Sequence, residues 1–81
     1  MNEEPKIFEL RGDYIELNKL LKRVGWTQTG GHAKIVVQSG EVLRNGEVET
    51  RVRAKLVPGD VIEWEGQTLR VSRAKAEDAG S

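Results

Sequence analysis

The chain has 81 residues, no cysteine and one histidine, and its 13 basic and 13 acidic side chains cancel to zero net charge. That length allows one domain with one modest core, near the lower end of what folds without staples. The absent cysteines exclude disulfides, thiolate metal sites and cysteine nucleophiles, and the longest purely apolar run, Ile35-Val36-Val37, excludes a bilayer-spanning helix.

Residues 1–5 read as disordered. Lys6 to Arg11 reads as a short strand. Asp13 is a candidate helix cap, with Glu16 three positions on at capping-box spacing. Leu17, Leu20, Leu21 and Val24 follow at i, i+3, i+4 and i+7, which aligns one apolar face, and Gly25 supplies a left-handed stop. Thr29 to Gly40 carries strand propensity in Ile35-Val36-Val37, but cap signals at both ends favour a second helix. Glu41 to Arg44 leads into Asn45-Gly46, a strong hairpin signal, and Glu47 to Lys55 continues as the return strand. Pro58-Gly59-Asp60 is a turn, Val61 to Glu65 a strand, Gly66-Gln67 a second turn, and Thr68 to Ser72 the last strand. The expected architecture is α+β: a two-helix unit packed on a small antiparallel sheet. It forms one domain over 6–72, followed by a flexible tail over 73–81.

Charge is segregated along the chain. Residues 1–18 carry two basic and five acidic side chains, net −3; residues 19–55 carry eight and three, net +5; residues 56–81 carry three and five, net −2. A local positive field can therefore exist without a positive total. Enzyme signatures are absent. His32 could pair only with Ser39 or Ser72, and neither serine sits in a nucleophile elbow. No catalytic, metal or cofactor role is expected, and no small-molecule substrate. With no signal-peptide pattern at the start, the expected compartment is the cytoplasm.

Three basic groups stand out. Lys19, Lys22 and Arg23 lie at i, i+3 and i+4 on the polar side of the first helix. Gly30-Gly31 opens the second helix, where an anion could approach backbone N–H groups and the helix dipole; His32 and Lys34 follow at once, with Gln38 one turn on. Arg51, Arg53 and Lys55 share one face if their segment is extended, with Val52, Ala54 and Leu56 on the other. Long cationic side chains suit phosphate contacts. Trp26, between the helices, is a candidate base-stacking platform, whereas Trp64 in Val61-Ile62-Glu63-Trp64 reads as structural.

The run Gly40-Glu41-Val42-Leu43-Arg44-Asn45-Gly46-Glu47, followed by Pro58-Gly59-Asp60-Val61-Ile62, resembles the S-four-type RNA-binding domain. Ile15 to Lys22 and Thr29 to Lys34 are similar to its small stand-alone bacterial members of the YbcJ/YaaA type. The resemblance covers about residues 7 to 66. It implies an alpha-L motif, two helices and a hairpin that present a basic surface to structured RNA, ribosomal or transfer RNA, by a monomer. Carried over by position, the contact set is Lys19, Lys22, Arg23, Thr29, Gly30, Gly31, His32, Lys34, Arg44 and Asn45. The sequence departs from the broad family in two places. Glu16-Leu17-Asn18 stands where a basic-Leu-Asp start is usual, and Thr29-Gly30 where Ser-Arg is usual. The competing expectation is a protein-interaction adaptor on the same fold.

Overall fold

Side-chain periodicity dictates the two helices, and chain return dictates the sheet. The computed structural model describes residues 6–74. The expectations for residues 1–5 and 75–81 lie outside that range. The elements are β1 (Lys6–Leu10), β2 (Ile15–Glu16), α1 (Leu17–Arg23), α2 (Gly30–Gln38), β3 (Leu43–Arg44), β4 (Glu47–Val48), β5 (Lys55–Leu56), β6 (Val61–Trp64) and β7 (Gln67–Arg73).

α1 buries Leu17, Leu20 and Leu21, and the chain leaves it through Gly25 at φ +83°. Its entrance differs from the expected capping box. Glu16 is the N-cap and makes no side-chain capping bond, while Asp13 lies outside the helix. The reason is tertiary. The N–H groups of Leu17 and Asn18 donate to the carbonyls of Ala54 and Val52 at 2.9 and 3.0 Å, so backbone from elsewhere satisfies the helix start. α2 follows its local signals. The Thr29 hydroxyl accepts the His32 N–H at 3.0 Å, Ala33, Val36 and Val37 face the core, and Gly40 at φ +82° ends the segment. Helical spacing splits the Ile-Val-Val run, leaving Ile35 66% exposed.

The sheet runs β1-β7-β6-β3-β4, with β2 and β5 forming a separate two-stranded ribbon. The β3–β4 hairpin turns on Asn45 and Gly46 with φ +52° and +87°, the geometry that favours Asn-Gly. The second tight turn is Glu65-Gly66, one residue earlier than expected. The sheet is mixed at one edge because β1 pairs parallel with β7, Lys6 opposite Leu69 through Leu10 opposite Arg73. β7 thus extends to Arg73, and the Ala74 N–H still donates to the Leu10 carbonyl at 3.0 Å.

Glu47 to Lys55 is not one strand. β4 stops at Val48, and a turn closed by the Ala54 N–H on the Arg51 carbonyl at 3.1 Å diverts the chain to α1. The alternation nevertheless survives in burial: Arg51, Arg53 and Lys55 are exposed, Val52 is half-buried, and Ala54 and Leu56 are buried.

The core lies between the helices and one sheet face, centred on Leu17, Leu20, Leu21, Val37, Ile62, Leu69 and Val71. Each such side chain contributes about 1.5–3 kcal/mol by leaving water. Trp26 belongs to this core, only 9% exposed, with its ring centroid 6.0 Å from that of Trp64. It offers no open face for a base, which corrects the stacking expectation.

Candidate nucleic-acid interface

Neither helix contains an acidic residue, yet together they carry Lys19, Lys22, Arg23 and Lys34, all exposed. The amphipathic spacing that buries the leucines of α1 turns its cations outward, where the three line one shallow depression. Lys19 stands 3.8 Å from Glu16, while Lys22 and Arg23 have no acidic partner among the described residues. At the entrance to α2, Gly30, Gly31 and His32 are exposed, as are Lys34 and Gln38 further along. The Gly30 and Gly31 N–H groups find no acceptor among the described residues, as expected for a first helical turn. A Cβ at Gly30 would meet nothing within 4 Å. Folding therefore does not demand glycine there, and the bare backbone stays approachable. The His32 ring meets the edge of Trp64 at a centroid distance of 6.4 Å.

The third group is the arm formed by residues 49–55. Its carbonyls dock on the start of α1, so Arg53 and Lys55 lie beside the helix that carries Lys19. Arg44, Arg51, Arg53 and Lys55 surround a single depression. The Lys55 ammonium sits 4.9 Å from the Tyr14 ring centroid, a cation–π contact that holds it in place. The α1 cations line a separate depression, so the basic groups do not merge into one pocket.

Arg44, Asn45 and Arg51 are engaged internally. Arg44 donates to Asp60 at 2.9 Å, to the Lys55 carbonyl at 3.0 Å and to Glu49 at 3.4 Å. Asn45 donates to Asp60 at 2.9 Å and accepts the Val61 N–H at 2.9 Å. Both side chains tie the hairpin to the turn before β6. Arg51 makes a forked contact with Glu49 at 3.0 and 3.2 Å and also donates its backbone N–H at 3.0 Å.

Glu49 and Asp60, each 7% exposed, are the acids that sequence reading passed over. The Arg51 fork, with help from its backbone N–H and Arg44, holds the Glu49 carboxyl at about 2 against the opposing effect of burial. Burial alone would raise Asp60, but the Val57 N–H, Asn45 and Arg44 together keep it below the usual carboxylate range. Glu41 is lowered by the Trp64 indole and then by the Ser39 hydroxyl. The only sequence signal for Glu49 was its place two residues before Arg51; Asp60 was hidden inside a Pro-Gly-Asp turn.

Among the described residues, no group of three His, Cys, Asp or Glu side chains is placed to hold a metal, and no helix is long and apolar enough to cross a membrane.

Comparison with known proteins follows the same outline. The S4 domain family model matches residues 8–72. "Putative RNA-binding protein YbcJ" of Escherichia coli (strain K12) is 41% identical over 58 residues, which are 72% of this chain and 83% of that one. "Probable ribosome maturation protein RlbA" of Bacillus subtilis (strain 168) is 43% identical over 54 residues, 67% of this chain and 76% of that one. The solution structure of YbcJ from E. coli, described as revealing an alfaL motif involved in RNA-binding, superposes with a TM-score of 0.68 at 36% identity. That match covers 89% of this chain and 92% of the other. With matched sequence, element order and superposition in agreement, the chain belongs to the S4 domain family.

Proposed function

We propose that this protein is a non-catalytic module that binds structured RNA in the cytoplasm through its two helices and the arm that follows the β3–β4 hairpin. The observation that carries this reading is the acid-free pair of helices with four exposed cations. Lys22, Arg23 and Lys34 supply charge and donors to phosphates, and such contacts position a nucleic acid without reading its sequence. A phosphate at the entrance to α2 would meet the Gly30 and Gly31 N–H groups and the positive end of the helix dipole. Ribosomal RNA is the favoured target, with transfer RNA second; the name of the B. subtilis relative, a ribosome maturation protein, supports that order. The module acts as a monomer.

The test is a salt titration of binding to total ribosomal and transfer RNA. With about four to six phosphate contacts, the log–log slope should be roughly −3 to −5. Replacing Lys22 and Lys34 together by Glu should leave the fold within about 0.5 kcal/mol, because both are exposed. It should weaken binding at least about tenfold, since two attractions become repulsions. The zero net charge and Ile35, 66% exposed beside Lys34, favour a protein-binding adaptor instead. An adaptor would show no saturable RNA binding near physiological salt.

A further inference from the structure

Arg44 and Arg51 stand between two depressions of opposite character. One is lined by Arg44, Arg51, Arg53, Ala54 and Lys55, with no carboxylate in its wall. The other places Glu47 and Glu49 beside the same two arginines. The arginines thus meet their carboxylates on one side and present charge on the other.

The donors can be counted. Arg51 gives its Nε–H and one Nη2–H to Glu49, which leaves three of its five guanidinium N–H groups for an outside acceptor. Its side chain is 73% exposed, so those donors are reachable. Arg44 is fixed beneath by Asp60 and the Lys55 carbonyl, and Lys55 is held over Tyr14. Arg53 is exposed and has no acidic partner among the described residues. Three of the four cations are therefore held before any ligand arrives, which lowers the ordering cost of binding. Four cations around one acid-free opening suit an anion with several oxygens in different directions, and arginine forks match phosphate oxygens.

We propose that this depression seats one backbone phosphate of the bound RNA, and that Glu49 is the positioning residue that aims Arg51 into it. Glu49 does not line the seat; it grips the Arg51 main chain and side chain together from behind. The source of the phosphate rests on the RNA-binding reading above, whereas the seat can be tested without RNA.

Inorganic phosphate is titrated into the isotope-labelled full chain at constant ionic strength, following the amide resonances of Arg51, Arg53 and Lys55. Saturable shifts are expected there. Arg51→Lys should raise the phosphate Kd about tenfold, the loss of one charge-assisted hydrogen bond. Glu49→Gln should raise it comparably even though it makes the protein more positive, where a long-range field alone would tighten binding. Arg70→Gln, which removes an exposed cation from β7, should leave the Kd within about twofold. In the RNA arm, the Arg53→Gln, Lys55→Gln double variant should reduce the salt slope for total ribosomal RNA by about 1, the loss of one phosphate contact. Linear, unsaturable shifts would overturn the seat. A folded Glu49→Gln that binds phosphate as tightly as the parent would overturn the positioning role, and an unchanged salt slope would overturn the assignment of the phosphate to RNA. Saturable phosphate with no RNA binding by the parent would sink the RNA reading and leave the seat standing.

Discussion

Replacing Asp60 with alanine should destabilise the domain by about 3 kcal/mol, a sum built from three hydrogen bonds of roughly 0.5–1.5 kcal/mol each, more for the charged one. Oδ2 accepts from Arg44 and from the Val57 N–H, and Oδ1 accepts from Asn45, each at 2.9 Å, at a residue 7% exposed. Desolvation offsets part of that attraction in the parent, but the variant keeps the buried donors and loses their acceptor. The loss is capped because Arg44 retains Glu49 and the Lys55 carbonyl, so its charge is not left alone. A domain this size has about 4–12 kcal/mol in total, and each kcal/mol moves its melting temperature by roughly 4–8 °C. Urea unfolding followed by the fluorescence of Trp26 and Trp64 should show a lower midpoint with an unchanged slope. Asp60→Asn, which keeps one acceptor oxygen and the shape, should lose about half as much. A cost below about 1 kcal/mol for the alanine variant would refute the reasoning, because it would place these bonds at the level of exposed contacts.

Acid should expose the same network. The Glu49 carboxyl sits at about 2 in the folded chain against an ordinary value of 4.5, and Asp60 is also lowered, so both contribute stability above their unfolded values and lose it as pH falls. Unfolding free energy should decline between about pH 5 and pH 2, and Glu49→Gln should flatten that decline; an unaltered acid limb would contradict the assignment. Gly30→Ala with Gly31→Ala should separate stability from binding. Neither new Cβ meets a clash, the nearest atom being the Thr29 hydroxyl at 4.0 Å from position 31, so the unfolding free energy should hold or rise, by up to about 1 kcal/mol. RNA affinity should nevertheless fall, and equal or tighter binding would show that no phosphate approaches this backbone.

Local signals were sufficient wherever an element is closed by its own residues. Thr29 caps α2 through its own hydroxyl, Gly25 and Gly40 leave their helices at positive φ, and Asn45-Gly46 makes its hairpin, all within four residues of sequence. Legibility failed where closure comes from far away. The entrance to α1 is satisfied by carbonyls of Val52 and Ala54, more than thirty residues on, so the Asp13–Glu16 capping pattern never had to form. The parallel pairing of β1 with β7 joins the first described strand to the last, and no alternation within either strand encodes that direction. The arm after β4 is intermediate: its two-residue period was legible and survives in burial, but the carbonyls it turns toward α1 prevent a continuous ladder.

The same division governs the candidate site. In sequence, Arg44 and Lys22 are equivalent, each a cation in the positive middle of the chain. The fold separates them: Asp60, sixteen residues beyond Arg44, takes up its guanidinium, while Lys22 stands on a helix with no acid at all. The fate of a cation is decided by which carboxylate the topology brings within hydrogen-bonding reach, and one-dimensional charge counting cannot supply that. This also resolves the zero net charge. Glu9, Glu47 and Glu63 lie on strands and Glu65 on a turn between them, while Glu49 and Asp60 are engaged by arginines. None lies on α1 or α2. A phosphate chain approaching the helices from outside meets the field of the nearest charges first, because at physiological salt more distant charges are screened over about 8 Å. Neutrality of the whole and a positive helical face are therefore compatible, and if the proposed RNA contacts form there, the salt slope should follow that face.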